Sequence, residues 1–183
     1  MHEPPVFQAT SLAPGYDAID HLPVVVLLES VRSLYNVGSF FRTADAVRVQ
    51  KLLLSGITAS PPNRQITKTA LGAEETVPWA RAEDTGRTLE ELRARGYQLA
   101  GVETSIGAVD LFDWQPAFPV CVVFGHEVTG IGADVLEACD VRVRIPTLGI
   151  KQSLNVATAG GVVLYELLRK YRRLLQSTND AGR

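Results

Sequence analysis

The chain has 183 residues, of which 46% are hydrophobic and 21% are charged, and its formal net charge is −2. This composition is typical of one globular domain with a sizeable core, and a second independent domain would be cramped. The slight negative charge argues against a protein that coats nucleic acid indiscriminately, because such binding rests on many phosphate contacts, although a local basic patch is compatible with it.

The apolar segments are too short to cross a bilayer, the longest being 23–28 and 120–124. The first residues include His2, Glu3 and two prolines instead of a basic region followed by an apolar core, so they do not resemble a secretory signal. We therefore expect a cytoplasmic protein without a membrane span. The two cysteines and three histidines are scattered, and no metal site is expected.

The chain divides into an N-terminal arm (1–22), a domain (23–175) and a short flexible tail (176–183). Apolar runs predict strands at 23–28, 51–55, 77–80, 97–102, 120–124 and 141–145. Helical spacing of apolar residues predicts helices at 37–47, 64–71, 85–95, 132–139 and from 153 to about 175. Alternating strands and helices indicate an α/β fold with a mostly parallel sheet that is covered on both faces.

The first segment with chemical potential is Asn36–Asp45, which follows the first strand. Asn36 suits a helix cap, and Asn36, Ser39 and Thr43 fall on roughly one polar flank. Arg42 lies six residues after Asn36. Its spacing fits a surface or ion-paired arginine as well as it fits a phosphate ligand.

The second segment, Val122–Gly132, is a buried strand that ends in a glycine-rich loop. Gly125 allows the backbone to approach a planar ligand closely, and Glu127 is expected to project from the loop. The glycines do not have the spacing of the dinucleotide fingerprint, and such a loop is more often only a turn.

The third segment, Ile145–Ala159, leads into the last helix. Ser153 suits the helix cap, and Asn155 is expected in the first turn with free donors and acceptors. The plainer interpretation is a capped helix that packs one face inward, through Val156, Gly160, Val163, Leu167 and Tyr171.

Together the three segments resemble the three motifs of the SpoU-TrmH family of RNA ribose methyltransferases. The matching residues are Asn36, Gly38 and Arg42; Phe124-Gly125, Glu127 and Gly130; and Ile145-Pro146 with Ser153-Leu154-Asn155. The motifs occur in the family's order, and the resemblance covers roughly residues 23–170.

The resemblance implies a SPOUT fold, in which the C-terminal segment passes through a loop to form a deep trefoil knot. It also implies that S-adenosylmethionine binds in the knot loops and that two subunits pair so that each site borrows residues from its partner. By position, the cofactor is expected at the backbone of Gly125, Ile145 and Leu154, with Thr104 lining the pocket.

The family places Arg42 at the reacting ribose 2'-hydroxyl. Because a guanidinium is a poor base, we expect Arg42 to bind phosphate and stabilise the developing oxyanion. Asn36 and Glu127 are expected to orient Arg42 or the RNA, and Ser153 and Asn155 to fix the loop and the substrate.

Positive surface for RNA is expected at Arg32, Arg64 and Lys68, near the first motif. The substrate is tRNA or rRNA, and the small size of the chain favours tRNA slightly. A catalytically silent RNA-binding protein and an enzyme that methylates a base in tRNA stay open as alternatives. The intact motif residues favour the ribose methyltransferase over both.

Overall fold

The computed structural model describes residue 16 and residues 18–181. In this part of the chain the strands are β1 (Leu22–Glu29), β2 (Val49–Ser55), β3 (Trp79–Ala82), β4 (Gln98–Val102), β5 (Val109–Asp110), β6 (Val120–Phe124) and β7 (Val141–Arg144). The helices are α1 (Leu34–Ala46), α2 (Arg64–Ala70), α3 (Ala73–Thr76), α4 (Thr85–Ala94), α5 (Ala133–Glu137) and α6 (Val156–Ala181). The arm predicted for residues 1–22 lies mostly outside the described residues, and the division into arm, domain and tail stays a prediction.

The strands form one sheet in the order β3-β2-β1-β6-β4-β7-β5, and every described pairing is parallel. The predicted α/β class with a parallel sheet is therefore confirmed. The strands that come late in the sequence lie inside the sheet, with β6 between β1 and β4 and β7 between β4 and β5. This order brings the ends of β4, β6 and β7 close together.

Both faces of the sheet are buried. Val24, Val26 and Leu28 of β1 belong to a core that includes side chains of α1, α2 and α6. The alternate residues Val25 and Leu27 belong to a second core that includes side chains of α4 and α5. A strand that is buried on both faces needs a continuous apolar run, and the sequence around β1 has one.

Two glycines allow α1 to pack closely against its neighbours. A Cβ atom at Gly38 would overlap the backbone oxygen of Ile66 and the hydroxyl of Thr69 in α2. A Cβ atom at Gly160 of α6 would overlap the ring of Phe40. The motif glycine Gly38 therefore serves helix packing, and α1 is held between α2 and α6.

The C-terminal helix is also tied to the connection between β5 and β6. Lys170 in α6 is buried, and its ammonium group donates to the backbone oxygens of Leu111, Phe112 and Trp114. The helix continues to Ala181, beyond the predicted end at about Leu175. The trefoil knot that the family resemblance implies stays a prediction.

Short elements account for most other differences from the predicted boundaries. The two-residue strand β5 and the four-residue helix α3 were not predicted. The strand predicted at 77–80 is β3 at Trp79–Ala82. Within the described residues, no helix has the length and apolarity that a membrane span requires.

Candidate active site

A cavity of about 410 Å³ opens at the carboxyl ends of β4, β6 and β7. In parallel sheets this edge is where ligands bind, and the volume lies within the range of about 300–1,000 Å³ that is usual for small-molecule sites. Seven of the residues predicted from the sequence line it: Thr104, Gly125, Glu127, Ile145, Ser153, Leu154 and Asn155.

A chain of hydrogen bonds joins the three sequence segments beside this cavity. The amide nitrogen of Asn155 donates to the amide oxygen of Asn36 at 3.2 Å. The amide nitrogen of Asn36 in turn donates to the carboxylate of Glu127 at 2.9 Å. One polar residue from each segment therefore contributes to a single network.

The Glu127 carboxylate ties its loop to the beginning of α1. It accepts the backbone N–H groups of Arg32 and Ser33 at 3.0 and 2.9 Å, in addition to the amide of Asn36. Partial burial acts to raise the pKa of Glu127, but these hydrogen bonds outweigh it and lower the pKa to about 2. Glu127 is therefore ionised at neutral pH.

This lowered pKa predicts a pH-dependent contribution to stability. Glu127→Gln should reduce the free energy of unfolding at pH 7 by on the order of 1 kcal/mol, because the amide cannot satisfy the same donors and the site is partly exposed. The folded-state pKa lies below the ordinary value, so the contribution is present above about pH 4.5 and is lost as the pH falls towards about 2.

Chemical denaturation at pH 7 and pH 3 checks this prediction. The difference between wild type and Glu127→Gln should shrink at the lower pH. The control is Glu137→Gln, since Glu137 is exposed and makes no side-chain hydrogen bond to another described residue. A difference that stays constant between the two pH values would contradict an anchoring role for the charge.

The helix ends correct two predictions about capping. Ser33, not Asn36, caps α1, and its hydroxyl accepts the backbone N–H of Asn36. Asn155, not Ser153, caps α6, and its side-chain oxygen accepts the N–H groups of Ala157 and Thr158 at 2.9 and 3.2 Å. Both asparagines thus place their side chains at helix beginnings that meet beside the cavity.

Gly125 is required by the loop itself. A Cβ atom there would overlap the carbonyl group of Gly130 and the backbone nitrogen of Ile131. His126 and Gly130 exchange two backbone hydrogen bonds of 3.0 and 2.9 Å, which close the loop into a tight turn. The close approach at Gly125 is therefore made by the protein's own backbone, whereas the sequence suggested a ligand.

Two carboxylates that the sequence did not single out hold this loop in place. The Glu103 carboxylate accepts the N–H groups of Ile131 and Thr104 at 3.3 and 2.8 Å. The Glu29 carboxylate accepts the N–H of Gly132 at 3.3 Å. The floor of the cavity is thus fixed from the ends of β1 and β4.

Another wall is formed by Thr147 and by residues 152–154, at the two ends of the segment 147–154. Among the described residues, none receives a hydrogen bond from a backbone N–H of this segment, and none donates one to its carbonyl oxygens. Free backbone donors and acceptors beside an apolar wall suit a planar ligand with a polar edge, such as a purine. Ser153 and Leu154, which line the cavity, lie in this segment.

Arg42 does not line the cavity. It is exposed in a separate groove that it shares with Lys68 and Tyr165, and its side chain makes no hydrogen bond or ion pair with another described residue. Six residues of helix separate it from Asn36, which corresponds to about 9 Å along the axis and about 120° around it. Within this subunit, Arg42 makes no hydrogen bond or ion pair with Asn36 or Glu127. That either residue orients Arg42 therefore stays a prediction.

The predicted RNA-binding residues lie at different places near α1. Arg32 is exposed just before α1, where its backbone donates to Glu127. Lys68 lines the groove with Arg42, whereas Arg64 is exposed at the first residue of α2, outside the groove. The structure therefore brings Lys68, but not Arg64, to the same surface as Arg42.

The model of the SpoU rRNA methylase family matches residues 23–165, which is more than half of the chain. The chain belongs to this family. The matched range contains all three motifs, including the third at Ile145–Asn155. The predicted family is therefore confirmed.

Several relatives support the same placement of this SpoU-family chain. YacO of Bacillus subtilis, named for the TrmH family of tRNA/rRNA methyltransferases, is 34% identical over 81% of the chain and 59% of its own length. The AdoMet-bound rRNA methyltransferase of Sinorhizobium meliloti has a TM-score of 0.76 at 30% identity, over 87% of this chain and 61% of that one. A structure concerned with 2-OH methylation of C/U34 on tRNA has a TM-score of 0.73 at 25% identity, over 81% of this chain and 95% of that one. The chain spans about three fifths of the length of the curated relatives that it matches.

Sequence reasoning missed three charged residues of the SpoU-family site. Glu29 ends β1, Glu103 directly follows β4, and Arg144 ends β7 beside the cavity. Each therefore stands at the carboxyl end of a parallel strand, where ligand sites form. The end of a strand could therefore have identified these residues from the sequence, but only if the strand ends had been predicted to within one residue.

Proposed function

We propose that this chain transfers a methyl group from S-adenosylmethionine to a ribose 2'-hydroxyl of RNA, acting as a homodimer. The observation that carries the proposal is the hydrogen-bond chain from Asn155 through Asn36 to Glu127 at the rim of the cavity. It joins the three family motifs around one site at the ligand-binding edge of the sheet.

The cavity has the chemistry that S-adenosylmethionine requires. Phe124, Leu154 and Val156 offer apolar contact surface. The backbone of Thr147 and of residues 152–154 makes no hydrogen bond to another described residue and offers partners to an adenine edge. When bound, this cofactor supplies an electrophilic methyl group on a sulfonium centre. The S. meliloti relative, solved with AdoMet, supports the same cofactor for this chain.

Methyl transfer forms a bond between the ribose 2'-oxygen and the methyl carbon and breaks the bond between that carbon and sulfur. The products are S-adenosylhomocysteine, the methylated ribose and a proton. Glu127, whose pKa is lowered to about 2, is too weak a base to accept this proton at neutral pH. The main tasks of the protein are to position the reactants and to stabilise the developing oxyanion.

The position of Arg42 supports the proposed homodimer. Within one subunit Arg42 lies in a groove outside the cavity, so it does not adjoin the site of its own chain. A second copy that places its Arg42 at the first copy's cavity would complete both sites under twofold symmetry. We expect Arg42 to bind the phosphate next to the reacting ribose in this arrangement.

The RNA is proposed to approach along the groove that holds Arg42 and Lys68. Lys68→Gln should weaken binding to tRNA about 3- to 10-fold at low salt and reduce the slope of log affinity against log salt by about 0.7–0.9, because one phosphate contact is lost. Filter binding at several salt concentrations measures both quantities.

The matched control for Lys68 is Arg87→Gln. Arg87 is an exposed cation in α4, on the opposite face of the sheet, and it pairs with Glu91. Equal salt slopes for wild type and Lys68→Gln would remove this groove from the RNA-binding surface. We name tRNA ahead of rRNA as the substrate to test first, because the relative of similar size, matched over 95% of its own length, is the one whose structure concerns 2-OH methylation on tRNA.

Titration calorimetry with S-adenosylmethionine and S-adenosylhomocysteine tests the proposal at its first step. Micromolar binding near one site per subunit is expected. Failure of the folded dimer to bind either ligand would favour the alternative, a catalytically silent RNA-binding protein.

A further inference from the structure

Arg144 is a cation at the cavity with no assigned role. It is the last residue of β7, it is exposed, and it lines the cavity beside Glu103 and Thr104. Among the described residues that line the cavity, Arg144 is the only lysine or arginine. Arg142 lies on the same face of β7, two residues earlier, but it does not line the cavity.

The strand fixes where the Arg144 side chain begins. The backbone oxygen of Arg144 accepts the N–H of Leu111 at 2.8 Å, and Arg144 stands in register with Asp110 of β5. The guanidinium makes no ion pair or hydrogen bond with another described residue. It is therefore available to an anionic group that enters the cavity.

The carboxylates of the cavity have partners of their own. Glu127 accepts three N–H groups from the beginning of α1, and Glu103 accepts the N–H groups of Thr104 and Ile131. Both carboxylates hold loops through these hydrogen bonds, and neither forms an ion pair with Arg144. Among the described residues, the cavity thus has an apolar side for a nucleoside and a single lysine or arginine, Arg144, whose side chain makes no hydrogen bond or ion pair with any of them.

We infer that Arg144 binds the carboxylate of the amino-acid part of the methyl donor, and thereby selects donors that carry this carboxylate over thioadenosines that lack it. This inference rests on the proposed function. A guanidinium recognises a carboxylate through two parallel N–H···O bonds, which gives geometric selectivity as well as affinity.

The inference is tested by calorimetry with two ligands, S-adenosylhomocysteine and 5'-methylthioadenosine, which share the adenosine and the sulfur. Arg144→Gln should weaken S-adenosylhomocysteine about tenfold and leave 5'-methylthioadenosine within about twofold, because only the first ligand has a carboxylate. Arg144→Lys should give an intermediate loss for S-adenosylhomocysteine, because it keeps the charge without the fork.

Arg142→Gln is the matched control and should change neither affinity. Equal losses of both ligands in Arg144→Gln would show a structural role and overturn the inference. Unchanged affinity for S-adenosylhomocysteine would also overturn it, and a parallel loss of RNA affinity would then assign Arg144 to an RNA phosphate. Failure of wild type to bind either ligand would instead overturn the proposed function.

Discussion

Arg42→Ala is expected to slow methyl transfer to RNA by roughly 10²–10³-fold, which is the usual cost of removing one donor that stabilises a developing oxyanion. The affinity for S-adenosylmethionine should stay within about twofold, because in the proposed dimer Arg42 binds the RNA phosphate and not the methyl donor. Single-turnover rates at saturating RNA, together with calorimetry for the cofactor, measure the two effects separately.

Two further variants sharpen the test of Arg42. Arg42→Lys should also be slow, since an ammonium group cannot make the paired hydrogen bonds of a guanidinium. Arg87→Ala removes an exposed arginine on the opposite face of the sheet and should leave the rate unchanged. A near wild-type rate for Arg42→Ala would contradict the assignment of this residue to the reaction.

Gly125→Ala is expected to weaken S-adenosylmethionine binding about tenfold or more, because overpacking costs about 1–3 kcal/mol and about 1.4 kcal/mol corresponds to a tenfold change in affinity. The new methyl group would overlap backbone atoms of Gly130 and Ile131, which cannot move without disturbing the loop that forms the cavity floor. Overpacking of this kind should also lower the melting temperature by about 3–10 °C.

Gly86→Ala serves as the control for Gly125. A Cβ atom at Gly86 in α4 would make only an ordinary contact, at 3.5 Å from a side-chain oxygen of Asp84. This variant should keep the cofactor affinity and the melting temperature of wild type. If Gly125→Ala bound the cofactor as tightly as Gly86→Ala, the cavity could not be the cofactor site.

The two damaged variants together test whether sites are shared between subunits. Arg42→Ala lacks the arginine but keeps the cavity, whereas Gly125→Ala has an impaired cavity but keeps the arginine. The test therefore uses an S-adenosylmethionine concentration that fills the wild-type cavity but not the Gly125→Ala cavity. If the arginine acts across the dimer, subunit exchange under these conditions should restore about a quarter of the wild-type activity, since half of the dimers are mixed and each has one complete site. If each subunit used its own Arg42, mixing would restore nothing.

The sheet was predictable because its signals are local. The run around β1 is apolar at consecutive positions, and the alternation of Val141 to Arg144 marks a strand with one exposed face, as observed. The elements that escaped prediction are too short for a period to be detected. β5 has two residues and is held by its pairing with β7, which is distant in sequence.

The residues of the site were more predictable than their contacts. The motif pattern identified Asn36, Glu127 and Asn155, and the structure joins them in one network. Which serine or asparagine caps a helix depends on where the helix begins, and a shift of two or three residues reversed both predictions. Local sequence fixes helix ends only weakly, because tertiary contacts decide them.

The location of Arg42 could not be read from the sequence. Its spacing fitted a surface arginine as well as a phosphate ligand, and only the structure shows that Asn36 turns towards Glu127 while Arg42 lies in the groove with Lys68. The roles of Glu29 and Glu103 could likewise not be predicted, because their partners Gly132 and Ile131 are 103 and 28 residues away in the sequence. Such pairings depend on the order of strands in the sheet.

The most direct test of ribose methylation uses methyl-labelled S-adenosylmethionine and unmodified tRNA, followed by complete digestion with a ribonuclease that requires a free 2'-hydroxyl. The proposed function predicts label in an undigested dinucleotide, because a 2'-O-methyl group protects the adjacent phosphodiester. Label in a mononucleotide would instead show methylation of a base. Absence of label from tRNA and rRNA alike, with a dimer that binds the cofactor, would contradict RNA methylation by this chain.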